Sequence, residues 1–332
     1  MIDIVFVVLP GTLLLDLAGP AEAFRQANQQ LARRGHTAAY RLRHVGPRAQ
    51  AITSVGAVLA ALEPLPDALP RDARVVLLGQ PSGSESALQR PLSAAWNQTR
   101  RWLGRVVQPH IVDADVDADA ATPTAGTAVR LMTVCAGALL AADAGLLAQR
   151  RCTTHHEMLD ALTRLAPSAQ VLANRLFVID GAVASSAGIT AGIDLALHLI
   201  ASDIDDAIAA AVAQTLVVFQ RRGPDDAQLS PLLRGRDHLH PAVHRVQNAV
   251  LELPASPWSL QTLAAVAHVT PRHLARLFHQ HVGRTPREYV SDVRVAIAQR
   301  ALDNGASVNQ ALPLAGFAGD RQWRRVRARA QT

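Results

Sequence analysis

The sequence contains no lysine, and all 33 of its basic side chains are arginine. Aromatic residues make up only 4%, so its cores have to be built from Ala, Val, Leu and Ile. Two cysteines in 332 residues exclude a disulfide framework and suit a reducing cytoplasm. No run of about 18 uncharged apolar residues occurs, so no membrane span is expected. Met1, Ile2 and Asp3 bring no basic stretch before the apolar run Ile4–Leu9, which is strand-length rather than a signal sequence. The expectation is a soluble, cytoplasmic protein. What is present is ample apolar material: 49% hydrophobic against 18% charged residues, over a length that suits two or three domains.

The net charge of +6 is unevenly placed. Residues 240–332 hold 12 Arg against five acids, a net of +7, whereas residues 1–239 hold 21 Arg against 22 acids. All the excess positive charge therefore lies near the carboxyl end, and it points to a polyanion partner there, double-stranded nucleic acid first.

The first two hundred residues alternate short apolar runs with helical stretches. Ile2–Leu9, Arg74–Leu78 and Val129–Val134 read as buried parallel strands. Helices are predicted over 19–33, 92–107, 136–147, 155–165 and 190–201, with a hairpin over 172–187 turning at Asp180-Gly181. This alternation predicts βαβ units and an open parallel sheet. Residues 108–128 are acidic and read as a surface insertion. Their Asp113, Asp115, Asp117, Asp119 series lacks a glycine at loop position 6 and has Thr124 where a calcium loop needs a bidentate Glu, so no metal site is expected. A helix over 203–220 leads into a polar break at 221–231, and from Pro241 on the pattern is helix only.

Within that last part, Ser259 is an N-cap candidate, with Leu260, Leu263, Ala264 and Ala267 on one face of the helix that follows. After His268-Val269-Thr270, Thr270 caps a second helix with Pro271 at its first position. Leu274 and Phe278 anchor it, and Arg272, Ala275, Arg276 and His279 lie opposite. This is the pattern of a helix-turn-helix with a basic reading helix, although generic helical hairpins share it.

Residues 258–317 resemble the AraC/XylS family of transcription regulators, on Trp258, Ser259, Leu260, Leu263 and Ala264; Thr270 to Phe278; Gly283, Pro286 and Tyr289; Arg294, Ala298 and Leu302; and Gly316-Phe317. The resemblance implies two helix-turn-helix units joined by a long helix over about 286–302, each reading a major-groove segment. It makes Arg272 and Arg276 base-edge or phosphate contacts and Ala275 a contact for a thymine methyl. The second unit departs from the family: Pro313 falls inside its first helix. Arg327 stands where the family buries Phe, and the chain reaches Thr332 before the family's closing segment. Arg321, Arg324 and Arg325 share a face around an inward Trp323, which implies mainly phosphate contacts.

Cys135 ends an apolar strand just before a helix, a position where the helix dipole favours a thiolate and backbone N–H groups can meet an anion; a lone cysteine is also commonly a small core residue. Residues 1–200 are similar to the ThiJ/PfpI superfamily, relatives of the class I glutamine amidotransferases, and most of all to isocyanide hydratase and to the sensor domains of GlxA-type regulators. The motifs are 15–20 (LDLAGP), 134–137 (VCAG), 144–147 (AGLL), Thr153-Thr154-His155 and 188–194 (GITAGID).

That similarity implies a flavodoxin-like fold with Cys135 at an elbow, Asp16 facing it, Gly79 and Gln80 in a loop whose N–H groups line the ligand site, and Ala136 and His155 nearby. Ala136 replaces the residue that hydratases and proteases use, and no Cys-His pair is evident, so a non-enzymatic role is expected. The whole reads as an α/β flavodoxin-like parallel-sheet domain (1–202), a helix and linker (203–240), and an all-α domain with two helix-turn-helix units (241–332). The implied function is a ligand-responsive, sequence-specific DNA-binding activator with no cofactor. It would be homodimeric through the first domain, engage RNA polymerase, and sense a small nitrogenous metabolite near Cys135 and Asp16. The alternative is an isocyanide-hydratase-like enzyme fused to a DNA-binding domain.

Overall fold

A computed structural model describes residues 1–81, 94–112, 129–218, 222–224, 226, 228, 232, 235–303 and 305–330. The chain divides into two compact units, Met1–Gln228 and Leu229–Thr332. The acidic series at 113–119, Thr124, and the start of the helix expected at 92 all lie outside the described residues.

The first unit runs β1 (Ile2–Val7), α1 (Leu14–Arg33), β2 (Tyr40–Gly46), β3 (Ala51–Ile52), β4 (Val58–Leu59), β5 (Glu63–Pro64), β6 (Arg74–Leu77) and α2 (Ala94–Trp102). After one π-helical turn at Leu103–Val107 come β7 (Leu131–Val134), α3 (Gly137–Asp143), β8 (Arg151–Cys152), α4 (Leu159–Leu165) and β9 (Gln170–Val171). β10 (Phe177–Asp180), β11 (Val183–Ser186), α5 (Thr190–Asp203) and α6 (Asp206–Thr215) complete it. Seven strands form one sheet in the order β10-β11-β7-β6-β1-β2-β5, parallel except for the β10–β11 hairpin. α1 packs on α5 and α6, and α2 on α3.

β6, β7 and β11 are buried at every position and mostly apolar, with Arg74, Thr133, Ser185 and Ser186 as their buried polar residues. β2 went unread in the sequence because Arg41 and Arg43 alternate along it. They form ion pairs, Arg41 with Asp3 at 2.5 Å and Arg43 with Glu63 at 2.5 Å. α1 begins at Leu14, not at Gly19, and Pro20 lies inside it. The helix expected over 203–220 is instead split: α5 runs to Asp203 and α6 restarts at Asp206, capped by Asp205 Oδ1 accepting from the Ile208 N–H at 2.6 Å. In the polar break, Arg222 reaches Asp194 at 2.6 Å, the Asp226 carbonyl accepts from Leu176 N–H, and Gln228 donates to the Thr154 and Arg175 carbonyls. These residues are tied into the first unit.

The second unit is helical: α7 (Pro241–Glu252), α8 (Leu260–Ala267), α9 (Pro271–Val282), α10 (Pro286–Asp303), α11 (Val308–Leu314) and α12 (Asp320–Ala330). Val243, Val246, Leu263, Leu274, Phe278, Tyr289 and Val293 form one apolar cluster. Ala298, Leu312, Ala315, Phe317 and Trp323 form another. Pro313 is the penultimate residue of α11, so the N–H it lacks leaves the last turn of this seven-residue helix one hydrogen bond short. A capping interaction between Ser307 and Gln310 secures the other end. Arg327 lies over the Trp323 ring at 5.0 Å, a cation–π contact in place of a buried aromatic.

Candidate ligand site and candidate nucleic-acid interface

In the first unit, three chain crossings meet at the carboxyl ends of β6, β7 and β11. Cys135 follows β7 at a positive φ of 56°, and Ile189 follows β11 at φ 39°; both are rare conformations for side-chain-bearing residues. The Cys135 N–H donates to the Ser186 carbonyl at 3.1 Å, and its carbonyl accepts from Thr154 Oγ1 at 2.8 Å. Two glycines make room for it. A Cβ on Gly188 would fall 2.7 Å from Cys135 Sγ, and one on Gly79 would fall 2.8 Å from Cys135 Cβ and 2.4 Å from Asp16 Oδ2. Gly79 thus sits between Asp16 and the elbow, and the structure brings Cys135, Asp16, Gly79 and Ala136 together. Thr154, Gly188 and Ile189 belong to the same cluster; their signal was present in the two motifs that contain them, but they were not singled out.

Asp16 is held by helix crossing. A Cβ on Gly19 would meet Ile193 at 2.8 Å, and one on Gly192 would meet Val134 at 2.9 Å and Pro20 at 3.2 Å, so α1 and α5 approach only because both are glycine there. Asp16 is fully buried, its Oδ2 accepting from Gly79 N–H at 3.0 Å and its Oδ1 from Ile189 N–H at 3.1 Å. The expectation that the Gly79 N–H lines a ligand site is therefore corrected: that N–H is spent on Asp16. Gln80 donates its side-chain amide to the Pro10 carbonyl at 3.2 Å. His155 stacks on His156 at 4.2 Å and lies 3.7 Å from Glu157; burial and His156 hold it below the ordinary histidine range. A separate cavity of about 620 Å³ in this unit is lined by Gly46, Arg48, Leu62, Arg101, Trp102 and Arg105.

Burial pushes the Asp16 carboxyl up to about 6, outweighing the Gly79 and Ile189 N–H bonds. Between pH 4 and 6 the folded chain keeps a proton that the unfolded chain, near 3.9, has released; stability of the first unit therefore falls as pH rises. Unfolding of this unit should become about 2 kcal/mol less costly between pH 4.5 and 7. Asp16→Asn should flatten that component, although its amide cannot accept from both N–H groups. A wild-type and variant difference that is constant across this range would contradict the assignment.

In the second unit, Ser259 and Thr262 cap α8 reciprocally, with hydrogen bonds of 2.9 and 3.1 Å. His268 closes the helix in the left-handed conformation, and Thr270 Oγ1 accepts from His273 N–H to start α9. Leu263, Ala264 and Ala267 are buried as expected, but Leu260 is 39% exposed, because it is the first residue of α8 and the buried arc begins one turn later. On α9, Leu274, Leu277 and Phe278 are buried, while Arg272, Arg276 and His279 are exposed and Ala275 half-buried. On α12, Trp323 is buried and Arg321, Arg324 and Arg325 are exposed. Ala275 from α9 and Gln322 and Arg325 from α12 border one cleft of about 980 Å³, with Arg284 and Arg287 on its wall. Arg294 of α10 donates to the Pro254 and Ser256 carbonyls at 2.8 and 2.6 Å, fixing the long helix to the segment before α8.

An α/β unit with a cysteine elbow, followed by a helical unit with two capped helix pairs, defines a two-part protein of a recognisable class. Residues 263–329 match the helix-turn-helix domain family and residues 120–202 the DJ-1/PfpI family. The HTH-type transcriptional regulator CdhR of Pseudomonas aeruginosa is 29% identical over 325 residues, covering 95% of this chain and 84% of that one. GbdR of the same species is 30% identical over 189 residues, 57% of this chain; the chain spans about half of GbdR, 51% of its length. GlxA of Rhizobium meliloti is 29% identical over 174 residues, 52% of this chain and 53% of that one. The chain thus carries a helix-turn-helix domain match over 263–329 and a DJ-1/PfpI match over 120–202, and is similar to HTH-type transcriptional regulators that include GlxA. Among the described residues no helix is long and apolar enough to cross a membrane.

Proposed function

We propose that this chain is a ligand-responsive, sequence-specific DNA-binding transcriptional regulator that acts in the cytoplasm as a homodimer. The observation that carries the reading is α9: a helix with a capped start, three residues sunk into the core, and Arg272, Arg276 and His279 turned out to solvent. Its named relatives are HTH-type transcriptional regulators, which supports the same reading. Arg272 and Arg276 read base edges, and Arg321, Arg324 and Arg325 hold phosphates. The cluster around Cys135 and Asp16 is the sensory part, its effector a small metabolite. A catalytic reading is less well supported, because Ala136 follows the cysteine and His155 is engaged by His156 and Glu157.

Fluorescence anisotropy of the full chain on a duplex from the region upstream of its own coding sequence tests this. Affinity should fall about a thousandfold between 50 and 200 mM salt, as expected for about six phosphate contacts, and should exceed that for a scrambled duplex. A metabolite that occupies the sensory unit should shift affinity by about 5–150-fold. Equal binding to both duplexes, or none at low salt, would sink the proposal.

A further inference from the structure

The cavity of about 620 Å³ in the first unit opens beside the carboxyl end of β2 and shares no described lining residue with the Cys135 cluster. Arg48, just after β2, stands on one wall, and Leu62 and Leu65 flank β5 on another. Gln98, Arg101, Trp102 and Arg105 form the third; their spacings of three and four place them on one face of α2 and the turn that follows. These walls are fastened without any ligand. β2 pairs with β5 through Gly46 and Pro64, the Leu62 N–H donates to the Ala49 carbonyl at 2.9 Å, and the Trp102 Nε1–H donates to the Pro66 carbonyl at 2.6 Å.

The charge around the cavity is of one sign. No Asp or Glu is among the described residues that line it, and Glu63, next to Leu62, is paired with Arg43 instead. Arg105 meets Asp67 at 3.1 Å, in a pair too exposed to contribute much. Arg48 and Arg101 make no ion pair or side-chain hydrogen bond among the described residues. Arg101 and Arg105, one turn apart, repel each other, and the chain between them enters a π-helical turn, a geometry that recurs at functional sites. Three guanidinium groups over a low-dielectric floor focus a field that favours an anion.

We propose that this cavity binds a small organic carboxylate with an apolar body, the carboxylate taken by Arg48 and Arg101 and the body lying over Leu62, Leu65 and Trp102. A guanidinium fork matches a carboxylate through two parallel N–H donors, and Gln98 offers a further amide donor. The volume falls within the usual range of about 300–1,000 Å³ for small-molecule pockets, and the apolar floor gives an inorganic anion nothing to bury. With no acidic side chain among its described lining residues, the cavity has no partner for an ammonium group, so a simple carboxylate is preferred over an amino acid. The inference goes beyond the sensory reading of the Cys135 cluster, and its observable is binding itself rather than promoter choice.

Full chain is titrated in a calorimeter with sodium 3-phenylpropanoate. Three comparison compounds are 3-phenylpropanamide, which lacks the charge, L-phenylalanine, which adds an ammonium, and sodium phosphate, which lacks the body. One molecule of 3-phenylpropanoate per chain, with a Kd below about 1 mM, is the expected result. Each comparison compound should bind about tenfold more weakly or worse. Arg48→Gln and Arg101→Gln should each weaken 3-phenylpropanoate binding by about tenfold or more, the effect of losing one partner of a charge-assisted hydrogen bond. Both side chains are exposed and have no described partner to lose, so these variants keep the fold. Arg164→Gln, at an exposed arginine of α4, should leave binding unchanged. No saturable binding of 3-phenylpropanoate up to about 10 mM, equal binding of any comparison compound, or binding undiminished in both Arg48→Gln and Arg101→Gln would overturn the site.

Discussion

Asp203→Ala should destabilise the first unit by about 3–5 kcal/mol, the usual cost of removing one partner from a buried ion pair. Asp203 ends α5, and its side chain is 3% exposed; Arg74 opens β6 in the middle of the sheet, 2% exposed. The guanidinium grips both carboxylate oxygens at 2.5 Å and gives its Nε–H to the Val129 carbonyl at 3.1 Å. Tyr40 of β2 donates its hydroxyl to the same carboxylate at 2.7 Å. Removing the carboxylate therefore leaves a buried cation without its counter-ion and a buried phenol without its acceptor. Native-state hydrogen exchange at the β6 and β7 amides measures the loss, since these strands open only with the unit as a whole. The double variant Arg74→Met, Asp203→Leu should recover most of it, because an apolar pair can replace a buried ion pair at little cost. A single-variant loss below about 1 kcal/mol would mean that water already reaches the pair.

Arg272→Ala and Arg276→Ala together should cut specific DNA affinity by at least thirtyfold, since a bidentate arginine–guanine contact is worth about 1–3 kcal/mol. Both side chains are exposed; Arg276 lies 3.2 Å from His273 Nδ1, which restrains it, so Arg272 is the cleaner probe of base reading. Arg272→Ala alone should relax preference at one base position and leave affinity for a scrambled duplex within a few-fold. Arg324→Ala should behave differently. Its only described ion pair is the exposed contact with Asp320 at 2.8 Å, worth a few tenths of a kcal/mol, so the side chain is free to turn to a phosphate. Its loss should weaken every duplex alike and lower the salt slope by about one. An equal loss on specific and scrambled DNA for Arg272→Ala would assign that residue to the backbone instead.

Much of this protein was legible in its sequence wherever the cause is local. β1, β6 and β7 were readable because strands buried on both faces are mostly apolar, and α8 and α9 because Ser259 and Thr270 cap their helices through bonds to residues three away and Pro271 fixes φ at the first helical position. The charge asymmetry located the basic surface without any coordinates. The clustering of Cys135 with Asp16 was reachable only through resemblance, since 119 positions separate them and nothing in their spacing links the two. The helix read over 19–33 begins at Leu14 in the structure, so Asp16 and Pro20 both lie inside α1.

By itself, then, the order of residues determined periodicity, caps and where charge accumulates, because each depends on contacts within about one helical turn or on simple counting. Tertiary structure alone decided that Gly79 spends its N–H on a carboxylate and that Arg74 lies buried against Asp203. Those facts depend on which distant segments share a dry space, where an unpaired polar group is costly enough to dictate its partner.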